Sequence, residues 1–264
     1  MHSPFLIAAL DAARAAADVV RRYYQRNIEV TLKADESPVT QADVETEKTI
    51  RTVIGERFPA HGFYGEETGA SALDAEYLWL VDPIDGTKAF VREYPMFSTQ
   101  IALMHRGRLI VGVSSAPVYG ELAYAQLAHE AQGAQLQPLA RLNERNVKVS
   151  DIDLLEAAAV SAGNLKTLAS GPHWANYGRL VARVNRIRGY GDFLHYHLLA
   201  SGKIDAVIES DVNILDIAAL WVIVTAAGGR FTDLQGREPD LATTSVLATN
   251  GRLHGPIMAQ LAGR

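Results

Sequence analysis

The sequence predicts a layered α/β protein, and three observations lead there. Near its start the chain carries two stretches with apolar residues at helical spacing. Its middle carries consecutive short runs of strand-forming residues separated by short turns, which implies an antiparallel meander. Beyond residue 151, strand-type and helix-type runs alternate, the pattern of helices laid on a sheet. With 264 residues, 48% of them hydrophobic, the chain can bury a substantial core in one large or two smaller domains.

Residues 5–26 are alanine-rich, with Asp11, Arg14, Asp18 and Arg21 on what becomes the outer face, so the spacing predicts one amphipathic helix. Residues 33–38 are polar and end in Pro38, a loop leading to a second helix that starts at Thr40 and has its body over 42–57. Residues 62–64 read as a short strand that delivers Glu66, and residues 69–74 as a small polar loop before a buried strand at 77–81. After a connection at 91–95, three strands are expected at 97–104, 109–114 and 121–126, packed against the two N-terminal helices. The chain turns polar and charged over 141–151. This places a boundary between an N-terminal α+β half, residues 1–145, and a C-terminal α/β half, residues 146–264. The second half reads as strand 157–161, helix 174–185, strand 187–189, helix 193–201, strand 205–209, helix 217–227, strands 230–233 and 246–249, and a final helix to residue 261.

The net charge of −5 and pI near 5.9 argue against a general nucleic-acid binder, which needs a basic stripe to replace phosphate counterions. An acidic protein can still hold a phosphate through a metal ion or helix-terminal amides. Cysteine is absent, which excludes a disulfide framework, a thiol nucleophile and a zinc-thiolate site, and suits a reducing compartment. The N-terminal stretch begins apolar, but Asp11, Arg14 and Asp18 interrupt it and no basic leader precedes it, so it reads as a helix and not as a signal peptide. No apolar run approaches the ~20 residues that cross a bilayer. A cytoplasmic protein without nucleic-acid or membrane partners is the expectation.

Chemistry concentrates at residues 79–90, WLVDPIDGTKAF. The buried strand expected at 77–81 ends at two carboxylates, Asp82 and Asp85, with Pro83 and Ile84 between them. Proline at 83 fixes its own φ and holds Asp82 extended, while Gly86 lets the backbone turn and opens its N–H to an anion. Thr87 and Lys88 follow. Carboxylates at a strand end, then a glycine turn with exposed amides and a hydroxyl, suit divalent metals that bridge to a phosphate. An acidic surface turn is the alternative for an isolated D-x-x-D. Here other acids accompany it: Asp43 in SPVTQAD, Glu66 and Glu67 in GEET, and Asp216 in ILDIAALWVIV, near the start of a strongly apolar helix. Asp43 also has a plain reading as a first-turn acid complementing the helix dipole.

GEET, DPIDGT and a distant LDIAAL followed by AAGG, in that order, resemble the inositol monophosphatase family of magnesium-dependent, lithium-sensitive phosphatases, over residues 37–229. One departure is Leu215, where the family's third motif usually has an aromatic residue before its aspartate. The resemblance implies an αβαβα sandwich, of the type shared with fructose-1,6-bisphosphatase, with the metal site between the halves. It also implies a phosphoric monoester hydrolase that cleaves small phosphorylated alcohols by in-line attack of water.

By the same resemblance, Glu66, Asp82 and the backbone carbonyl of Ile84 hold a first magnesium, with Thr87 beside it. Asp82, Asp85 and Asp216 hold a second, and Asp43, through Glu67 or waters, supports a weaker third. Glu66 and Thr87 would orient a water whose pKa the cation lowers, so Glu66, Thr87 and Asp43 are the catalytic candidates. Hard oxygen ligands and no histidine at these positions point to two or three Mg2+ ions rather than zinc. The phosphate is expected beside Asp85, on the Gly86 and Thr87 amides at the start of a helix. None of Asp43, Glu66, Asp82, Asp85 and Asp216 is replaced, which argues against a catalytically inactive regulatory member.

Substrate choice turns on residues 189–199, GYGDFLHYHLL, and on Glu209. An acid at the position matching Glu209 holds substrate hydroxyls in inositol-hydrolysing relatives. Asp192 stands where those relatives tend to have a small residue and where histidinol-phosphatase members have an aspartate. Helix capping after Gly191 is its other reading. An ammonium would find both Asp192 and Glu209, whereas neutral inositol needs no countercharge. Lysine and phenylalanine after Thr87 also look more like the histidinol-phosphatase and nucleotide-bisphosphatase branches. The substrates are therefore ranked histidinol phosphate, inositol monophosphate, and a 3′(2′),5′-bisphosphate nucleotide. The last needs a basic pocket, for which Arg179, Arg183, Arg186 and Arg188 are candidates, with a solvated helix face as the alternative. His195 and His197 read as structural or substrate-lining. Met96 and Phe97, after Pro95, suggest an exposed apolar patch, and with the family's habit of pairing they imply a homodimer.

Overall fold

A computed structural model of the protein describes residues 2–26, 30–32, 38–131 and 134–263. In chain order the first elements are α1 (Pro4–Tyr23), β1 (Val30–Leu32), β2 (Pro38–Thr40), α2 (Gln41–Arg57), β3 (Gly62–Gly65), β4 (Gly69–Ser71), β5 (Tyr77–Asp85) and α3 (Thr87–Val91). The meander follows as β6 (Ser98–His105), β7 (Arg108–Ala116) and β8 (Glu121–Gln126), then β9 (His129–Ala131), β10 (Ala134–Leu136), β11 (Leu139–Leu142) and β12 (Arg145–Asn146). After a 3-10 turn at Leu155–Ala157 come β13 (Ala159–Gly163), α4 (Leu165–Ser170), α5 (Trp174–Val181), β14 (Arg186–Arg188) and α6 (Asp192–Ala200). The chain closes with β15 (Ala206–Ser210), α7 (Ile214–Ala226), β16 (Arg230–Thr232), β17 (Ser245–Thr249) and α8 (His254–Leu261).

Two sheets carry the architecture. An eight-stranded sheet has the order β12-β11-β8-β7-β6-β5-β3-β4, and a five-stranded sheet has the order β14-β13-β15-β17-β16. Side chains alternate across each strand, so one strand serves two cores. On one face of the large sheet, Trp79, Val81, Ile101 and Leu103 pack with Phe5, Leu6, Ala9, Ile50 and Ile54 of α1 and α2. On the other face, Leu78, Leu80, Ala102 and Met104 share a core with α6 and α7. Val207 and Val246 of the smaller sheet join that same core, while Ala206, Ile208 and Leu247 face Leu168, Leu180 and Ile257 of α4, α5 and α8. The layers are thus α1/α2, sheet, α6/α7, sheet, α4/α5/α8, the expected αβαβα sandwich. No helix among the described residues is long and apolar enough to cross a membrane.

Several boundaries differ from expectation. β5 does not stop at Val81 but continues in register with β6 through Asp82, and resumes at Asp85 after an irregularity. Residues 69–71, expected in a loop, form β4, because Gly69 adopts φ 69° and turns the chain back onto β3. β3 pairs with β5 in parallel, so the large sheet is mixed rather than a pure meander. The polar stretch expected to separate the halves contains β11 and β12, which extend the large sheet beyond β8. Helix α4 is absent from the sequence reading, and α5 ends at Val181, four residues earlier than expected. Phe97 is not surface-exposed: it packs with Val20, Ala42, Ile84 and Phe90 beneath the site, so it is unavailable as part of an apolar patch. The loop expected at 33–38 lies, but for Pro38, outside the described residues.

One glycine sets the spacing between the large sheet and the middle helix layer. A Cβ at Gly112 on β7 would lie 2.4 Å from the carbonyl oxygen of Ala219 on α7. Gly55 is the opposite case, exposed on α2 with no heavy atom within 4 Å of its Cβ position. Gly112→Ala is therefore expected to force α7 off the sheet and cost about 1–3 kcal/mol, while Gly55→Ala is expected to gain about 0.5–1 kcal/mol from helix propensity alone. Thermal melts of the two variants should move in opposite directions from the parent. A neutral Gly112→Ala would refute the close-packing argument.

Candidate active site

The site begins with a defect in a strand. In an unbroken strand, residues three apart point to opposite faces, which would separate Asp82 from Asp85. The pairing of β5 with β6 instead runs regularly to Asp82↔Gln100 and reappears at Asp85↔Ser98, with a register shift between them. Such bulges re-aim side chains. The Asp82 carboxylate accepts the Ile84 N–H through Oδ1 at 3.0 Å, and Thr99 donates its hydroxyl to the Pro83 carbonyl at 2.8 Å, fixing the turn from both sides. Gly86 follows at φ 90°, a conformation that suits glycine, and a Cβ there would lie 2.6 Å from the Met96 carbonyl. The helix after it, α3, is a single short turn whose Ala89 and Phe90 amides donate back to Gly86, so its dipole is small.

Two further aspartates arrive on helix starts. Asp216 is the third helical residue of α7 and closes a capping box, its Oδ2 accepting the Asn213 backbone N–H at 2.9 Å. Asp43 has the same position in α2, its Oδ2 accepting the Thr40 N–H at 2.8 Å and the Thr40 hydroxyl at 2.7 Å. Asp43 thus does cap its helix. Its other oxygen faces the Thr87 hydroxyl at 3.3 Å, and that hydroxyl also lies 2.9 Å from the Ile84 carbonyl. The capping and site readings of Asp43 are therefore compatible, because a carboxylate has two oxygens.

Glu66 leaves β3 with its N–H donated to the Val81 carbonyl at 3.2 Å, and its carboxyl comes within hydrogen-bonding reach of Asp82. The turn that carries it is held from below by a residue the sequence reading passed over. Fully buried Glu47 accepts the Glu67 N–H at 2.7 Å, the Thr68 N–H at 2.8 Å and the Thr68 hydroxyl. Gly65 makes room for it, since a Cβ there would meet the Glu47 carboxylate at 2.4 Å. A glutamate inside an amphipathic helix looks like a surface charge in the sequence. Only the GEET turn folding over α2 gives it a buried task.

Carboxylate oxygens of Asp82, Asp85 and Asp216 all lie within 4.8 Å of one another. Among the described residues no lysine or arginine forms an ion pair with any of the three. Like charges, one buried and two half-buried, with only hard oxygen donors fit a divalent cation of the oxygen-loving kind.

Beside this cluster the same small cavity is lined by Asp85, Asn164, Asp192, Tyr196, Glu209 and Asp216. Asp192 and Asn164 both take left-handed backbone conformations, φ 41° and 48°, which aspartate and asparagine tolerate better than most residues. Asp192 does not cap α6: Gly191 occupies the capping position and no side chain caps that helix. Glu209 is buried on β15 and accepts from the Tyr196 hydroxyl at 2.7 Å. The four candidate arginines do not meet here. Arg179 and Arg183 are exposed, with Arg183 bound to Glu156 and Gln260, and Arg186 and Arg188 lie on the edge strand β14. His197 is structural, held between Glu121 at 2.8 Å and Ser114 at 3.0 Å.

A family model described as the inositol monophosphatase family matches residues 1–263. The chain belongs to the inositol monophosphatase family. Histidinol-phosphatase of Mycobacterium tuberculosis is 37% identical over 257 residues, 97% of each chain. Histidinol-phosphatase of Streptomyces coelicolor is 36% identical over 262 residues, 95% of this chain and 93% of that one. Among solved structures, inositol monophosphatase from Anabaena (Nostoc) aligns with a TM-score of 0.82 at 28% identity, over 98% of this chain and 95% of that one. As a member of this metal-dependent family of phosphatases, the protein is a phosphoric monoester hydrolase.

The electrostatics of this phosphatase follow from crowding acids in a dry place. Burial, then the neighbouring carboxylates, push Asp82 and Asp85 well above the usual aspartate range. Burial, partly countered by the Asn213 hydrogen bonds, pushes Asp216 up to about 7. Burial and then Glu209 push Asp192 up to about 6. Burial, offset in part by the Thr40 hydrogen bonds, raises Asp43.

These shifts have a sign for stability. Asp216 holds its proton more tightly in the folded than in the unfolded chain, so it costs stability increasingly as pH rises from about 4 and by its full amount above about 7. His254, which burial lowers to about 4, acts in the opposite direction below roughly pH 6.5, so the test belongs above that. In chelator at about pH 8, Asp216→Asn is expected to melt some 3–8 °C above the parent. Saturating magnesium should reverse the order, because only the aspartate form gains from the cation. Melts with the same order in chelator and in magnesium would contradict this account.

Proposed function

We propose that the protein is a magnesium-dependent histidinol-phosphate phosphatase. The observation that carries the substrate is the placing of Asp192 and Glu209 in the cavity that also contains Asp85 and Asp216. A half-buried and a buried carboxylate share that cavity, and burial, then the charge of Glu209, push Asp192 up to about 6. A neutral polyol leaves that repulsion in place. The ammonium of an aminoalcohol relieves it, gaining roughly 1.5–3 kcal/mol from charge-assisted hydrogen bonds. Identity to histidinol-phosphatases along nearly the whole chain supports the same substrate.

At the phosphate end, Glu66, Asp82, Asp85, Asp216 and the Ile84 carbonyl are the groups that would hold two magnesium ions, with Asp43 near a third. Bound there, magnesium supplies charge neutralisation for the phosphoryl oxygens and acidifies the attacking water. The remaining work falls to the chain. The Thr87 hydroxyl has one proton and two acceptors, Ile84 O at 2.9 Å and Asp43 Oδ1 at 3.3 Å, so it can pass its proton to Asp43 while accepting one from water. Glu66, beside Asp82, orients the same water, and the Gly86 and Thr87 amides receive the phosphate. Oxygen from water forms the new bond to phosphorus as the ester oxygen departs with a proton. A second phosphate, as in a bisphosphate nucleotide, finds no basic pocket here, since Arg183 is already engaged by Glu156.

Asp85→Asn should lower kcat by more than about a hundredfold with little change in circular dichroism, because Asp85 lines the site and caps no helix. Chelator should abolish wild-type turnover and magnesium restore it. Full turnover in excess chelator would sink the metal-dependent reading.

Asp192→Asn tests the substrate. The ratio of kcat/KM for histidinol phosphate to that for glycerol 2-phosphate should fall about tenfold, mostly through KM. A wild type that prefers inositol phosphate, or a ratio that Asp192→Asn leaves untouched, would count against histidinol phosphate without touching the phosphatase chemistry.

A further inference from the structure

Glu209 is held by an arrangement more specific than burial requires. Its Oε2 takes two donors from α6, the Tyr196 hydroxyl at 2.7 Å and His195 Nε2 at 3.2 Å. His195 is itself oriented: its Nδ1 lies 3.3 Å from the Ser161 hydroxyl, which already accepts the Tyr190 N–H at 3.2 Å. The carboxylate oxygen Oε2 can only accept from Nε2, so the imidazole proton sits on Nε2, pointing at Glu209, and Nδ1 accepts the serine proton. The other oxygen, Oε1, accepts no hydrogen bond from any described residue and lies over Gly163, where a Cβ would stand 2.1 Å away. One carboxylate oxygen is saturated and the other is left for something else.

We propose that Tyr196, His195 and Gly163 are positioning residues that set substrate charge selectivity, by fixing the Glu209 carboxylate so that Oε1 is presented to a cationic alcohol group. This rests on the histidinol-phosphatase reading above and deepens it. Two donors on one oxygen fix the plane of the carboxylate, so Oε1 is held in a single place. The charged and titratable groups around Glu209 are Asp192, His195 and Tyr196 on α6, Asp85 at the end of β5 and Asp216 on α7. Gly163 gives the carboxylate its place. A methyl there would push Oε1 out of line without removing any charge.

Steady-state kinetics on the full-length magnesium-loaded enzyme test this, with histidinol phosphate and glycerol 2-phosphate across pH 5.5–9. Both esters share the phosphate ionisation, so the ratio of their kcat/KM values isolates the alcohol side. In Tyr196→Phe that ratio should fall about tenfold, with KM for histidinol phosphate taking most of the change. Gly163→Ala should lower the ratio in the same sense, and Gly163→Ser should not restore it. A role confined to packing would change both substrates alike, which would overturn the proposal. Unchanged ratios in both variants would overturn it as well. A wild type unable to hydrolyse histidinol phosphate would overturn the substrate reading beneath it, an outcome visible before any variant is made.

Discussion

Repulsion among carboxylates is the constraint on which the rest of the structure depends. Asp82, Asp85 and Asp216 bring oxygens within 4.8 Å of one another, Glu66 reaches Asp82, and no described lysine or arginine pairs with any of those three aspartates. Side chains left to themselves would rotate away or keep their protons. Three of the acids are therefore tied down by backbone: Asp82 by the Ile84 amide, Asp216 by the Asn213 amide, Glu66 by a turn that Glu47 fastens to α2. The stability lost to the cluster has to come from elsewhere, and the three apolar cores that sandwich the two sheets are where it is available.

The layering explains how acids so distant in sequence converge. Asp82 and Asp85 stand at the end of β5, near the middle of the large sheet, and Asp216 starts α7, which packs on that sheet through Gly112. Asp43 starts α2 on the opposite face. A helix on each face, both beginning level with the end of one central strand, aims two N-terminal aspartates at the bulge between them. The site is thus assembled by packing distance, and the missing side chain at Gly112, against Ala219 one turn beyond Asp216, bears on where α7 places that aspartate.

Legibility followed the range of the interactions involved. The strand at 77–81, the three meander strands and α1, α2, α6 and α7 were readable because local periodicity determines them. DPIDGT was readable because a turn, two acids and a hydroxyl lie within six residues. Glu47, Tyr196 and Gly163 were not: each is defined by a partner across the fold, on the GEET turn or on β15, and nothing within a helical turn of sequence announces it. β4, β11 and β12 were missed because such short strands lack an apolar pattern of their own and exist only by pairing, β4 with β3, β11 with β8 and β12 with β11. Phe97 misled for the same reason, since apolar residues after a proline look exposed until Ile84 and Phe90 close over them.

Asp43 and Asp216 carry a more general point. Both sit third in their helices, both close a capping box, and in sequence both can be explained completely by helix-end electrostatics. The structural explanation and the functional one are usually weighed as rivals, yet here the first supplies the means of the second. A capping aspartate has its rotamer fixed by the helix start itself: one oxygen takes the backbone amide, and the other is held in a set direction, toward the Thr87 hydroxyl in Asp43 and beside the Asn213 side-chain amide in Asp216. Glu209 repeats the device with side-chain donors in place of backbone: Oε2 is held, Oε1 is offered. In the proposed reading, the two ends of the cavity then present one chemistry to two cations, the metal's at the phosphate and the substrate's own at the alcohol. A ligand that brings negative charge at one end and positive charge at the other is what so acidic a cavity selects.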